Sequence, residues 1–420
     1  MNPRTPDLAI EARWMLPLTG SQVLLEYHTL IVHQGRIVEV LPSALARSRY
    51  EPLAWLERPT HLVIPGLVNA CVDLIGAGER GPGTFSVGSA DRALLGIAQL
   101  LRSGVTTFAH VGTRPREVAQ LALDQGMRLC LGLPIESGPD ARASLSEALA
   151  LHDEYRGHPS ISTAFALGDT STLEDTMLER IATLSVEIDR GVLVPLHASS
   201  AEIERSRVAH GLTPLARLER TGLLTPALAA AHMTHLHPTE IELAARAGIG
   251  ITLCPQADLA ATEARAPLAA LQAAGLRLSV GSGARRDGGG GRDAGGGRDA
   301  GDLGLWSELK WLLLGAHGAI TPVETLALAS SGGARVLGLE DGLGALAPGR
   351  LADIVCLDRS GPFARGTGNA LRALITGGGR DLVSDVWVAG RQLICEGAFT
   401  RLDWQRLAAR LDAASGAPCG

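Results

Sequence analysis

Eight short runs rich in Val, Ile and Leu recur along the middle of this chain, separated by longer segments whose apolar residues repeat with helical spacing. The runs cover residues 63–70, 105–111, 128–135, 161–168, 193–199, 227–233, 250–255 and 276–283. Several are almost wholly apolar, as strands covered on both faces must be. Strand and helix alternating in this way build a parallel sheet, and eight repeats is the number that closes a (β/α)8 barrel. Segments 92–102, 174–188 and 239–247 read as three of the intervening helices. The last places Thr239 as an N-cap, with Glu240 and Glu242 in the first turn, where carboxylates meet unpaired N–H groups. The expected fold class is α/β, a TIM-type barrel over residues 63–341.

A chain of 420 residues leaves material on both sides of such a barrel. The leading piece contains two β-runs over residues 29–40 around a tight Gln34-Gly35 turn. The trailing piece, from residue 342 onward, contains strand-like runs at 351–357 and 383–391. With 46% hydrophobic and 20% charged residues, the composition is that of a well-buried globular protein. A net charge of -6 supplies no electrostatic footprint for nucleic acid. No apolar run approaches the roughly 20 residues that a membrane span requires, and the polar N-terminus has no apolar stretch behind it. The expectation is a soluble, cytoplasmic protein with neither nucleic acid nor membrane as partner.

The six cysteines, Cys71, Cys130, Cys254, Cys356, Cys395 and Cys419, include no C-x-x-C pair and read mostly as buried reduced thiols. Lys310, the only lysine, sits in the helical-looking segment 305–314. No lysine is therefore left at a strand end to bridge metals as a carbamate.

Three stretches are more specific than any periodicity. One is Ile64-Pro65-Gly66-Leu67-Val68-Asn69-Ala70-Cys71-Val72-Asp73; another is Gly344-Ala345-Leu346-Ala347-Pro348-Gly349-Arg350-Leu351-Ala352-Asp353. The third comprises Ala209-His210-Gly211-Leu212-Thr213-Pro214-Leu215 together with Ala230-Ala231-His232-Met233-Thr234-His235-Leu236. Through them the chain resembles the amidohydrolase superfamily, in its chlorohydrolase and nucleobase-deaminase branch, and 5'-methylthioadenosine deaminase-like proteins in particular. The resemblance implies a small composite β-sandwich built from residues 1–62 and 342–405 beside the barrel. It also implies a divalent metal held by an H-x-H pair on the first strand, a His on the fifth, a His on the sixth and an Asp in a G-T-D sequence on the eighth. Such an ion makes hydroxide near neutral pH, and a neighbouring carboxylate moves protons to the leaving nitrogen.

Carried over residue by residue, the pattern is broken at its chemical centre. Cys71 and Asp73 stand where the first-strand histidines are expected, while His197 and His232 are retained. Ser200 stands where a proton-moving Glu follows the fifth-strand His; Glu202 and Glu204 lie nearby at a different offset. Gly283 stands where the eighth-strand Asp is expected. Segment 74–89 is short and glycine-rich in place of a long aromatic closing segment, and residues 166–169 lack the family's G-P-H-A-P ending. An aromatic content of 3% leaves few rings to stack on a purine.

The leading expectation is a pseudoenzyme: an amidohydrolase fold without metal-dependent hydrolysis or cofactor, kept for binding, regulation or assembly. The alternative is an active hydrolase or deaminase of a non-peptide C–N bond in a cyclic amidine or purine-like substrate. It would use a rearranged site of Cys71, Asp73, His197 and His232 around zinc or iron. A nucleophilic Cys71 paired with a histidine, and a small-molecule sensor at the barrel mouth, are further readings. His210, His235 and His237 read as surface or loop histidines. Partners expected are a small molecule at the mouth and a second subunit, as a homodimer or a complex with a related active enzyme. The repeat G-G-G-R-D-A over residues 286–301 reads as a flexible insert within 284–302, or else as a flap over the mouth; no G-K-[ST] ending supports a phosphate cradle.

Overall fold

The computed structural model describes residues 5–20, 23–76, 87–262, 264–283, 303–361 and 369–415. The glycine-rich insert at 284–302, residues 77–86 of the shortened segment, and Cys419 lie outside the described residues.

The barrel strands are Leu67–Val72, Val105–His110, Arg128–Ile135, Ile161–Leu167, Val192–Leu196, Leu228–His232, Gly250–Leu253 and Arg277–Val280, each parallel to the next. All eight expected strands are present, but the first begins later than residue 63. Strand Ala54–Pro65 belongs instead to the sheet built from the chain ends, where Val63 and Ile64 pair with Cys356 and Val355. The end of that strand, residues 62–65, is as apolar and buried as Leu67–Val72, so periodicity alone does not divide them. Gly66 does: a Cβ there would overlap the Thr106 side chain, with Oγ1 at 2.2 Å. The helix expected at 239–247 is Pro238–Ala247, and its cap is His237 rather than Thr239. The imidazole of His237 accepts from the Thr239 amide while Glu240 reaches back to the His237 N–H at 2.9 Å, a reciprocal capping box with Pro238 in the first turn.

The seam between first and last strands is narrow. It consists of a single parallel bridge, Val72 to Gly283, with the Gly283 N–H donating to the Cys71 carbonyl at 3.0 Å. Gly281 allows this approach, since a Cβ there would lie 2.8 Å from both the amide nitrogen and the carbonyl oxygen of Cys71. Asn69, fully buried, holds the seam from inside. Its Nδ2 donates to Ser282 Oγ (2.9 Å) and the Leu303 carbonyl (3.2 Å), and its Oδ1 accepts from the amides of Ser282 (3.2 Å) and Cys71 (3.3 Å). The barrel interior is filled by small side chains, Ala109, Cys130, Ala164 and Ala229 with Leu193, and is floored by Val336. The larger apolar core lies between the barrel and its helices.

Strands from both ends of the chain form one eight-stranded mixed sheet. Leu8–Met15 and Ala54–Pro65 run parallel at its centre, and Ile354–Asp358 adds antiparallel to the latter. Gln34 and Gly35 both have positive φ, 49° and 74°, as a two-residue hairpin turn requires. The sheet curls back on itself, because Ile37 exchanges hydrogen bonds with Arg350 and Gly349 (2.8 Å each). Ile10, Leu30, Val63, Ile354 and Trp387 fill the fold so made. Asp353, the last residue of the 344–353 signature, accepts from the Ala389 amide at 2.8 Å and lies 3.6 Å from Arg128 at the start of the third barrel strand. The signature is thus a joint between sheet and barrel. Among the described residues, no helix is long and apolar enough to cross a membrane.

Candidate ligand site at the barrel mouth

The C-terminal ends of parallel barrel strands are where a fold of this kind places its chemistry. His197 follows the fifth strand in a left-handed conformation, φ 50°. Its Nδ1 faces the His235 carbonyl at 2.8 Å, and its Nε2 accepts the Leu215 amide proton at 3.2 Å. Nδ1 thus donates to a carbonyl, and the Nε2 lone pair is spent on a backbone donor. Glu202, buried in the helix Ser200–His210, accepts from the amides of His197 (3.1 Å) and Ala198 (2.9 Å). Its carboxylate therefore shapes the strand end.

His232 ends the sixth strand. Its Nδ1 lies 2.6 Å from the Asp258 carboxylate, on the helix Pro255–Thr262, and its buried Nε2 has no hydrogen-bond partner among the described residues. A carboxylate behind an imidazole orients the ring and turns the far nitrogen toward the site. Asp258 carries no recognisable signal in the sequence.

Asp73 is turned away from both histidines. Its Oδ1 accepts from the amides of Ile75 and Gly76, 3.0 Å each, and fills the space above Gly112, where a Cβ would lie 2.0 Å from it. The same vacant Cβ position lies 2.7 Å from His110 Cε1. His110, at the end of the second strand, is fully buried with Nε2 against the Thr113 carbonyl at 3.0 Å. Burial pushes its pKa down, against the opposing pull of the Asp73 charge.

Cys71 packs in a small buried cluster with Ala231 and Cys254, flanked by Val111 and Ala257. Cys254 follows the seventh strand; its thiol donates to the Thr252 carbonyl at 3.8 Å, and the neighbouring Cys71 together with burial raises its pKa well above the ordinary value. Gly283 lies where the eighth-strand acid was expected. A Cβ there would stand 3.8 Å from His232 Cε1 and 3.6 Å from Cys254 Cβ. The same Cβ would meet the Ala257 methyl at 2.9 Å on a backbone with φ +84°, so the position is shaped for glycine.

These residues do not fit the family's ion. Among the described residues, no three His, Cys, Asp or Glu donors gather where they could hold a metal. Cys71, Asp73, His197 and His232 are therefore not brought together as ligands. Of the two retained histidines, His232 alone presents an unspent nitrogen among the described residues.

Beside this centre, between the helix Ser200–His210 and the loop after the sixth strand, opens a cleft of about 640 Å³. Ser200, Glu204, Arg207, His235, His237 and Glu240 line it. Glu240 Oε1 lies 3.8 Å from His197 Nε2, which joins the cleft to the strand ends. His235 and His237, expected as loop histidines, are loop residues that also line this cleft. His210 lies at a helix end with Nε2 2.9 Å from the Ser171 carbonyl.

Comparison with known proteins extends the likeness over nearly the whole chain. Residues 62–393 match the Amidohydrolase family. The 5-methylthioadenosine/S-adenosylhomocysteine deaminase of Teredinibacter turnerae is 30% identical over 97% of this chain and 97% of its own length. That of Saccharophagus degradans is 27% identical over 96% and 95%. A zinc-bound adenosine deaminase from Xanthomonas campestris superposes with a TM-score of 0.88 at 31% identity, covering 99% of this chain and 100% of that one. The zinc-bound atrazine chlorohydrolase of Arthrobacter aurescens, at 20% identity and a TM-score of 0.84 over 97% and 100%, shares the fold. These likenesses side with the hydrolase alternative and do not bear out a loss of the reaction. The chain belongs to the amidohydrolase family, as a relative of the 5-methylthioadenosine/S-adenosylhomocysteine deaminases.

Proposed function

We propose that this protein holds a small polar heterocycle at the mouth of its barrel and does not run the family's metal-dependent hydrolysis. One observation carries the reading: among the described residues, the five positions at which the family places its ligands and acid do not converge. Asp73 turns an oxygen to the Ile75 and Gly76 amides, His197 Nε2 accepts the Leu215 amide, and Gly283 has no side chain. Of the two retained imidazoles, only that of His232 keeps a nitrogen without a partner among the described residues. Water free of a metal has a pKa of about 15.7, so a mouth that gathers no ion makes almost no hydroxide at neutral pH. The cleft next to His197 supplies what recognition needs, with Arg207 as a donor and Glu204 and Glu240 as acceptors on a concave wall.

Kinship favours a second reading, an active hydrolase or deaminase of a C–N bond in a purine-like or cyclic amidine substrate. The relatives that align over almost the full chain are deaminases by name. Ion binding would then have to start from His232, whose Nε2 is the free donor.

Elemental analysis of protein purified without chelator, with His232→Ala in parallel, separates the two. On the first reading, metal stays well below one ion per chain, no ammonia is released from adenosine or 5'-methylthioadenosine, and one such compound raises the melting temperature. That shift is lost in Arg207→Ala. One zinc or iron per chain that disappears in His232→Ala, together with ammonia release, would establish the second reading and overturn the first.

A further inference from the structure

The cysteine that replaces a first-strand histidine does not face open space. Cys71 and Cys254 pack in one small cluster with Ala231, 3% and 0% exposed. Two features hold the pair in register. The Gly283 N–H fixes the Cys71 carbonyl at 3.0 Å, and the Asp258 N–H fixes the Cys254 carbonyl at 2.8 Å. Two absences leave them room. Gly281 presses its backbone against Cys71, and Gly283 puts no side chain beside Cys254. An acid at position 283 would begin 3.6 Å from Cys254 Cβ and extend into the same space. Where the family sets an imidazole toward an ion, this chain sets a cysteine into a buried cluster with a second cysteine.

We propose that Cys71 and Cys254 are a dithiol that hydroperoxides convert reversibly to a disulfide, linking the first and seventh barrel strands at the mouth. In the first step one thiol sulfur attacks a peroxide oxygen. The O–O bond breaks, the sulfur becomes a sulfenic acid and the other half of the peroxide leaves as an alcohol or as water. In the second step the remaining thiol displaces the sulfenic oxygen as water and the S–S bond forms. Overall, two thiols and one hydroperoxide give one disulfide, one alcohol and one water, a two-electron oxidation of the protein. A dithiol reductant reverses it by exchange. The other cysteines among the described residues are placed differently: Cys130 lies inside the barrel, Cys356 in the core of the terminal sheet, and Cys395 is exposed. Burial makes the pair slower to react than Cys395. This inference does not depend on whether the protein turns over a substrate.

The test is a time course of the folded full-length protein with hydrogen peroxide, quenched by alkylation and read by peptide mapping. The expected result is a linked peptide joining Cys71 to Cys254, parallel loss of both free thiols, and recovery of both with dithiothreitol. Cys395 is oxidised earlier and independently. In Cys254→Ser the linked peptide is absent while Cys71 remains alkylatable or carries a sulfenic acid. If both thiols stay free in the wild-type protein after Cys395 is fully oxidised, or if the link forms only in urea, the proposal is wrong. The wild-type readout stands even if a cysteine variant fails to fold.

Discussion

Asn69 is the residue of the first-strand motif that this chain keeps while the ligand positions beside it change, and the seam explains why. Its side chain makes four hydrogen bonds, to Ser282 Oγ, the Leu303 carbonyl and the amides of Ser282 and Cys71. At roughly 1 kcal/mol net for each bond, Asn69→Ala should destabilise the protein by about 4 kcal/mol. That is near the upper end for a single substitution, because the groups left behind are buried and unpaired. Ser282→Ala removes one of the four bonds and should cost about 1 kcal/mol. Asn69→Asp keeps both acceptor bonds, loses both donor bonds and buries a charge, so it should resemble Asn69→Ala. Urea unfolding followed by tryptophan fluorescence, with slopes compared as well as midpoints, measures the series. Equal midpoints for Asn69→Ala and Ser282→Ala would refute the role of this amide as the staple of the barrel.

Gly281→Ala should be worse tolerated than Gly283→Ala, since its Cβ meets the Cys71 backbone at 2.8 Å whereas that of Gly283 meets only the Ala257 methyl, at 2.9 Å, and carries the strain of φ +84°. Soluble yield and melting temperature of the two variants check this order. Glu202→Gln should lower the melting temperature, because an amide has one acceptor oxygen for the two backbone donors of His197 and Ala198. Burial holds His110, His61 and His152 below their ordinary pKa of 6.5, so the folded state resists protons that the unfolded chain accepts. Their contribution to stability is complete above about pH 6.5 and is lost as pH falls through the lowered folded values. His110→Gln should therefore flatten the fall of the urea midpoint below that pH, and an unchanged slope would count against the assignment.

The barrel was legible because strands covered on both faces are written as continuous apolar runs, and the helices between them carry a different period. The boundary at Pro65-Gly66 was not, since residues 62–65, at the end of one strand, and Leu67–Val72 differ in which sheet they join and hardly in hydrophobicity. The cap at His237 was hidden for another reason: capping preference favours Thr239, whereas the imidazole nitrogen and Pro238 together start the helix earlier. His197 and His232 could be found from their motif frames, but their states could not. One ring is silenced by the Leu215 amide, the other is freed by Asp258, and both partners are distant in sequence. Cys254 gained meaning only when the fold brought it against Cys71.

The terminal sheet has a consequence for how the chain is made. Strand Ala54–Pro65 is among the earlier elements to leave the ribosome, yet its antiparallel neighbour Ile354–Asp358 comes only after the entire barrel. Until then one edge of that strand carries unpaired amides and carbonyls beside apolar side chains, an open template for pairing with another nascent copy. Synthesis therefore passes through a long interval in which the barrel can assemble while its supporting sheet stays half built.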